Sequence, residues 1–139
     1  MIALPAIRAV ERTARGVRLT LEIPTALSYF EGHFPGVPLL PGVVQVTWAI
    51  ELARRYIPFA ARFRALGGVK FTRVIQPGAT VTLQLDYAAS ERVLDFTYAI
   101  DGRHCSNGTA FFDAQEHAAA AATPPAATAG AARDGDGAR

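Results

Sequence analysis

Three prolines (Pro35, Pro38, Pro41) and three glycines (Gly32, Gly36, Gly42) fall within eleven residues, directly ahead of an apolar run that begins at Val43. Proline fixes φ and glycine permits tight turning, so this loop is stiff where a merely flexible one would use Gly and Ser. With Pro41-Gly42 at the entrance and Pro58 beyond the end, Val43 to Tyr56 is predicted as a helix, the one long helix expected. The chain on either side has a different period. Val17, Leu19, Leu21 and Ile23 alternate with Arg18, Thr20 and Glu22 before Pro24, the signature of a half-buried strand, and a shorter strand over Ala6 to Thr13 is expected to pair with it across Arg15-Gly16. Four more strands are predicted after the helix: Val69 to Val74, Val81 to Tyr87, Leu94 to Ile100 and Arg103 to Phe112. Pro77-Gly78 and Asp101-Gly102 mark turns, the second with the Asp-Gly pair that suits a two-residue hairpin needing positive φ at both central positions. The order β-β-α-β-β-β-β predicts an α+β fold, an antiparallel sheet wrapped round one buried helix.

Half of the 139 residues are hydrophobic, enough for one core, and a single domain over residues 1–113 is expected. Residues 114–139 form an Ala/Pro/Gly-rich tail with, from Ala118 onward, no core-forming residue larger than Ala; this tail is expected to be disordered. There is no long uncharged apolar stretch, and Arg8, Glu11, Arg12 and Arg15 interrupt the first fifteen residues, so neither a transmembrane helix nor a secretory segment is expected and the protein is read as cytoplasmic. The lone Cys105 makes no internal disulfide, and His33, His104 and His117 lack metal-ligand spacing, so no metal is expected. The net charge is only +2, but no acidic residue lies between Glu51 and Asp86, an interval that holds Arg54, Arg55, Arg62, Arg64, Lys70 and Arg73. Both solvated helix and strand edges and an anionic partner fit that pattern. Nucleic acid is not the expected partner, since no nucleic-acid motif accompanies the small basic excess.

The segment Gly32 to Thr47, with its His-Phe-Pro-Gly-Val-Pro-Leu-Leu-Pro-Gly core, followed by Val69-Lys70-Phe71 and Pro77-Gly78, resembles the β-hydroxyacyl-acyl-carrier-protein dehydratases of bacterial lipid synthesis, most closely the dehydratase-like proteins of aryl-polyene pathways. The resemblance covers residues 1 to about 113 in order and length. It implies a hotdog fold and dehydration of a 3-hydroxyacyl thioester to the trans-2-enoyl thioester, in fatty-acid or polyene-type lipid synthesis. It implies no separate cofactor, the substrate being carried on the phosphopantetheine of an acyl carrier protein or on coenzyme A. It also implies a homodimer, or a higher oligomer built from it, with the His loop of one subunit facing the central helix of the other.

The chemistry needs a base for the α-proton, a donor for the charge on the thioester oxygen and a proton for the departing hydroxide. A neutral imidazole with a reference pKa of about 6.5 suits the base, and His33 matches the family's catalytic histidine. Gly42 matches the oxyanion contact, with the helix dipole behind its amide. Fourteen residues after His33 the family carries Glu or Asp as the acid, and this chain has Thr47. Three ways round that substitution are open. His33 could act as base and then acid, Glu51 one turn further along the helix could lean back over Thr47, or the protein could be a hotdog acyl thioesterase or a non-catalytic acyl-carrier-binding subunit.

Against a chemical role, Glu51 is spaced to pair with Arg54 or Arg55. Pro41 and Val43 are candidate substrate contacts, and Arg62, Arg64, Lys70 and Arg73 a candidate docking surface for an acidic carrier. Trp48, Val44 and Ile50 are expected in the core or a subunit contact, His104 and Cys105 in packing or surface roles, and Glu31 as a solvated loop charge.

Overall fold

A computed structural model describes residues 4–25, 39–59 and 61–113 of the chain. Most of the stiff loop, with Glu31 and His33, and the tail over 114–139 lie outside the described residues. Among the described residues, six strands and one helix follow in the order β1 (Ala6–Thr13), β2 (Gly16–Glu22), α1 (Gly42–Tyr56), β3 (Phe63–Phe71), β4 (Thr80–Ala88), β5 (Val93–Ile100) and β6 (Arg103–Phe112). All neighbouring strands are antiparallel, in one sheet of order β1-β2-β4-β5-β6-β3. The predicted α+β order is therefore observed.

Alternation in the sequence becomes a single buried face. Val17, Leu19, Leu21 and Ile23 join Val81, Leu83 and Leu85 of β4 and Leu94, Phe96 and Tyr98 of β5, all with almost no exposure. From α1, Val44, Trp48, Ala49, Leu52 and Ala53 enter the same cluster. Each large side chain so buried contributes about 1.5–3 kcal/mol relative to its exposed state. The C-terminal end of α1 is held by two arginines. Arg12 of β1 donates to the Tyr56 carbonyl and lies over the Tyr56 ring, favourable beside the negative end of a helix dipole. Arg54 donates to the Ala61 carbonyl at 2.9 Å and stacks on Phe59 and Phe112. Arg54 is thus not paired with Glu51, and no described residue forms an ion pair with Glu51, contrary to the i+3/i+4 expectation.

Two elements depart from the sequence reading. The third strand begins at Phe63, not at Val69, and ends at Phe71, short of Val74. Gly67-Gly68 concealed it: Gly68 has φ +60, and the pairing with β6 shifts register between Gly67 and Lys70, so the period-two pattern breaks inside the strand. The β4–β5 turn uses Arg92 at φ 56 with no glycine to announce it. The Asp101-Gly102 turn has φ 50 and 77, as its two-residue geometry requires.

Gly16 faces the backbone of β4 so closely that a Cβ there would fall onto the Leu85 carbonyl oxygen. Gly16→Ala is expected to force β2 from β4 and destabilise the fold by about 1–3 kcal/mol, an overpacking cost. Urea unfolding measures it; a midpoint equal to wild type would show that the strands separate there without penalty.

Candidate functional site

The first turn of α1 has no side-chain cap and no acidic residue, with Pro41 as the N-cap at φ −62 and ψ 149. The Val44 and Gln45 amides donate to the Pro41 carbonyl, at 3.1 and 3.2 Å. The amides of Gly42 and Val43 have no acceptor among the described residues. Helix-opening N–H groups carry the positive end of the helix dipole and suit a developing negative charge.

The first of these residues, Gly42, borders a pocket of about 370 Å³ lined also by Leu39, Leu40, Gln45 and the stretch Phe71 to Val74. The lining is largely apolar. Phe71 lies so close to Gly42 that a Cβ on Gly42 would come within 2.6 Å of the ring tip, which is why the first helical residue must be small here. The ring is itself half exposed. At the polar end, the buried Gln45 accepts a 2.6 Å hydrogen bond from the Ser106 hydroxyl through Oε1 and donates from Nε2 to the Leu40 carbonyl at 3.1 Å. At the rim, Thr72 bonds His104 Nδ1 at 2.7 Å, and His104 Nε2 bonds Asn107 Oδ1 at 2.7 Å.

The residues singled out from sequence fall in different places. Gly42 and Arg73 line the pocket, and Pro41 caps its helix. Val43, Thr47 and Glu51 follow each other at four-residue spacing on a different face of α1, outside the pocket lining. Val43 is 69 % exposed, Thr47 is half-buried and Glu51 is exposed. The Thr47 hydroxyl donates to the Val43 carbonyl at 2.7 Å, so its proton is turned back into the helix. His33 lies outside the described residues.

Of the basic stretch, Arg64 pairs with Asp113 at 3.8 Å and lies over the Phe111 ring, whereas Arg62, Lys70 and Arg73 have no acidic partner among the described residues. Cys105 is buried, its thiol pushed up by burial with Arg73 pulling partly the other way. No group of three or more His, Cys, Asp or Glu among the described residues could hold a metal ion, and no helix there is long and apolar enough to cross a membrane.

Sequence reasoning did not single out Gln45, Thr72 or Ser106, and it named Phe71 only within the Val69-Lys70-Phe71 segment, with no role at the site. One signal was present for Gln45: a carboxamide between Val44 and Val46, on the buried side of an apolar helix, demands a partner.

A helix seated on an antiparallel sheet is the hotdog arrangement. The chain belongs to the ApeI-like dehydratase family, whose model (ApeI dehydratase) matches residues 9–109. It is similar to a chain of the dehydratase heterocomplex ApeI:P of Xenorhabdus doucetiae, with TM-score 0.72 and 31 % identity over 78 % of this chain and 97 % of that one. An uncharacterised Erwinia carotovora protein aligns with TM-score 0.68 and 33 % identity over 80 % of this chain and 95 % of that one. Among curated proteins, the 3-hydroxyacyl-[acyl-carrier-protein] dehydratase FabZ of Oenococcus oeni is 39 % identical over 64 residues, 41 % of this chain and 46 % of that protein. The chain thus spans about half the length of such curated relatives. The hotdog fold expected from the sequence is the one observed.

Gly42→Val is expected to drive the new side chain into the Phe71 ring and cost about 1–3 kcal/mol. Adding Phe71→Ala is expected to recover most of that loss in urea unfolding. An undiminished loss in the double variant would mean that the ring is not the obstacle.

Proposed function

We propose that the protein dehydrates a 3-hydroxyacyl thioester, carried by an acyl carrier protein or coenzyme A, to the trans-2-enoyl thioester in fatty-acid or polyene-type lipid synthesis. The observation that carries the reading is the uncapped start of α1, with Gly42 lining an apolar pocket and the Gly42 and Val43 amides without an acceptor among the described residues, in a chain of a dehydratase family. FabZ relatives are named for 3-hydroxyacyl carrier-protein substrates, which supports the substrate class.

In this mechanism His33 takes the α-proton while the thioester oxygen gathers charge against the Gly42 N–H. The electron pair left on the α-carbon forms the double bond as the β-carbon–oxygen bond breaks, and the departing hydroxide takes a proton to leave as water. The elimination releases water with no net oxidation or reduction, so no redox cofactor is needed. Thr47 is the unusual part. Its hydroxyl proton is committed to the Val43 carbonyl, so it offers the leaving group an acceptor rather than an acid. That favours the return of the proton from protonated His33, with Glu51, one turn on and without an ionic partner among the described residues, as the other candidate donor.

The working unit in this reading is an isologous homodimer with two sites, in the cytoplasm. The Val43–Thr47–Glu51 face, with the half-buried Val46 and Ile50 beside it, supports a second subunit at the site. The solved relative from Xenorhabdus belongs to a dehydratase heterocomplex, so a second, different chain is the competing partner. Arg62, Lys70 and Arg73 are the docking candidates for an acidic carrier, and Arg64, already paired with Asp113, is the weaker one.

The turned-back Thr47 proton also keeps in view a carrier-binding subunit without activity of its own, whose sign is tight binding of acylated carrier with no change in the acyl group. A thioesterase would instead release free thiol from thioesters lacking a 3-hydroxyl.

Enoyl formation from purified protein and 3-hydroxyacyl carrier protein tests the reading. His33→Ala is expected to abolish it and Thr47→Glu to maintain or raise it. Full activity in His33→Ala removes the base assignment, and a folded Thr47→Glu with a large loss gives Thr47 another task. Light scattering on the purified chain is expected to give twice the chain mass; a monomer that becomes active only with a second protein would overturn the homodimer.

A further inference from the structure

Gln45 and Ser106 are the buried polar side chains among the described residues, and they touch each other. Burying a carboxamide is costly unless its groups are satisfied, and satisfied buried polar groups in turn fix geometry. Each bond of this pair leads to the entrance of α1. Ser106, in the middle of β6, donates to Gln45 Oε1; Gln45 Nε2 donates to the carbonyl of Leu40, the last residue but one before the helix; and the Tyr98 hydroxyl of β5 donates to the Gln45 backbone carbonyl at 2.8 Å. On its other side the Leu40 amide donates to the Ile75 carbonyl at 2.7 Å, in the connection between β3 and β4. Residue 40 is therefore held through both its N–H and its C=O, and Pro41, with its fixed φ, carries that orientation into Gly42. A glutamine one turn into the helix reaches back over that turn, as helical side-chain direction allows.

We propose that Gln45, anchored by Ser106, is a positioning residue that sets where the Gly42 and Val43 amides point, and so couples the sheet to the oxyanion end of the pocket. An apolar residue at 45 would fill the same volume but leave the Leu40 carbonyl and the Ser106 hydroxyl unpartnered, and the peptide leading into the helix would turn. The two remaining first-turn amides, at Val44 and Gln45, already share the Pro41 carbonyl, so rotation of that peptide would alter the whole N-terminal turn. Gln45 also lines the pocket, whereas Ser106 does not; an effect of Ser106 on catalysis must pass through Gln45.

The kinetic part of this inference rests on the proposed dehydratase reading; the geometric part does not. Ser106→Ala, Gln45→Met and the double variant are compared with wild type in enoyl formation and in backbone amide hydrogen exchange followed by NMR. Ser106→Ala is expected to lower kcat roughly tenfold with KM nearly unchanged, the scale of a misplaced catalytic group. In the Gln45→Met background the same serine change is expected to have no further effect. The Gly42 and Val43 amide shifts are expected to move in both single variants, while those of β1, at the far edge of the sheet, stay in place. A Ser106→Ala protein with wild-type kcat and unmoved Gly42 and Val43 amides overturns the proposal. So does a loss that adds in the double variant, or one matched by general destabilisation in thermal melting and exchange throughout the sheet. If wild type forms no enoyl product, the dehydratase reading fails and the amide shifts alone decide the positioning role.

Discussion

Everything in this fold depends on burying one helix against one face of one sheet. Trp48, fully buried with Ala49, Leu52 and Ala53, is the helix's share of the core, and the inward stripes of β2, β4 and β5 are the sheet's. A lone amphipathic helix of fifteen residues is marginal in water, and an antiparallel sheet with an uncovered apolar face invites association. Each removes the other's liability. The arginines at the C-terminal end, Arg12 on Tyr56 and Arg54 between Phe59 and Phe112, close the same contact with charge where a helix end can use it.

The proposed functional end of the molecule is where that apolar logic is broken. Gln45 and Ser106 place a polar pair inside the core, and the helix begins with no side-chain cap, so its first amides are left for something else to satisfy. Departures from local rules of this kind are expected at functional sites, where geometry is maintained at some expense of stability. Thr47 is a departure in the other direction. A hydroxyl that satisfies itself on the Val43 carbonyl is chemically quiet, which shifts the burden of proton donation in the proposed reaction onto His33 or Glu51.

Legibility followed periodicity. The helix, the alternating strands β2, β4 and β5 and the Asp101-Gly102 turn were readable because each carries its own local pattern. The start of β3 was not, because Gly67-Gly68 and a register shift interrupt the alternation while pairing with β6 keeps the strand together. Spacing offers Glu51 an ion pair with Arg54 or Arg55; the structure uses Arg54 on an aromatic cluster, because cation–π contact and the Ala61 carbonyl lie within its reach. At the site, Gly42 was identifiable from its motif. Phe71 and Ser106 were not, being 29 and 64 residues away in sequence and brought to the helix only by the sheet.

The sequence by itself determined the element order, the fold class and the family, since a stiff Pro/Gly loop, an apolar helix and period-two runs are local properties and the His-Phe-Pro-Gly core is contiguous. Tertiary structure alone decided which side chains meet: that the Phe71 ring seats on Gly42, that Gln45 ties Ser106 to the Leu40 carbonyl, and that Thr47 and Glu51 stand on a face apart from the pocket. The reason is that local pattern specifies which way each residue faces, whereas contacts between β3, β6 and α1 depend on strand order and register, which no single segment encodes.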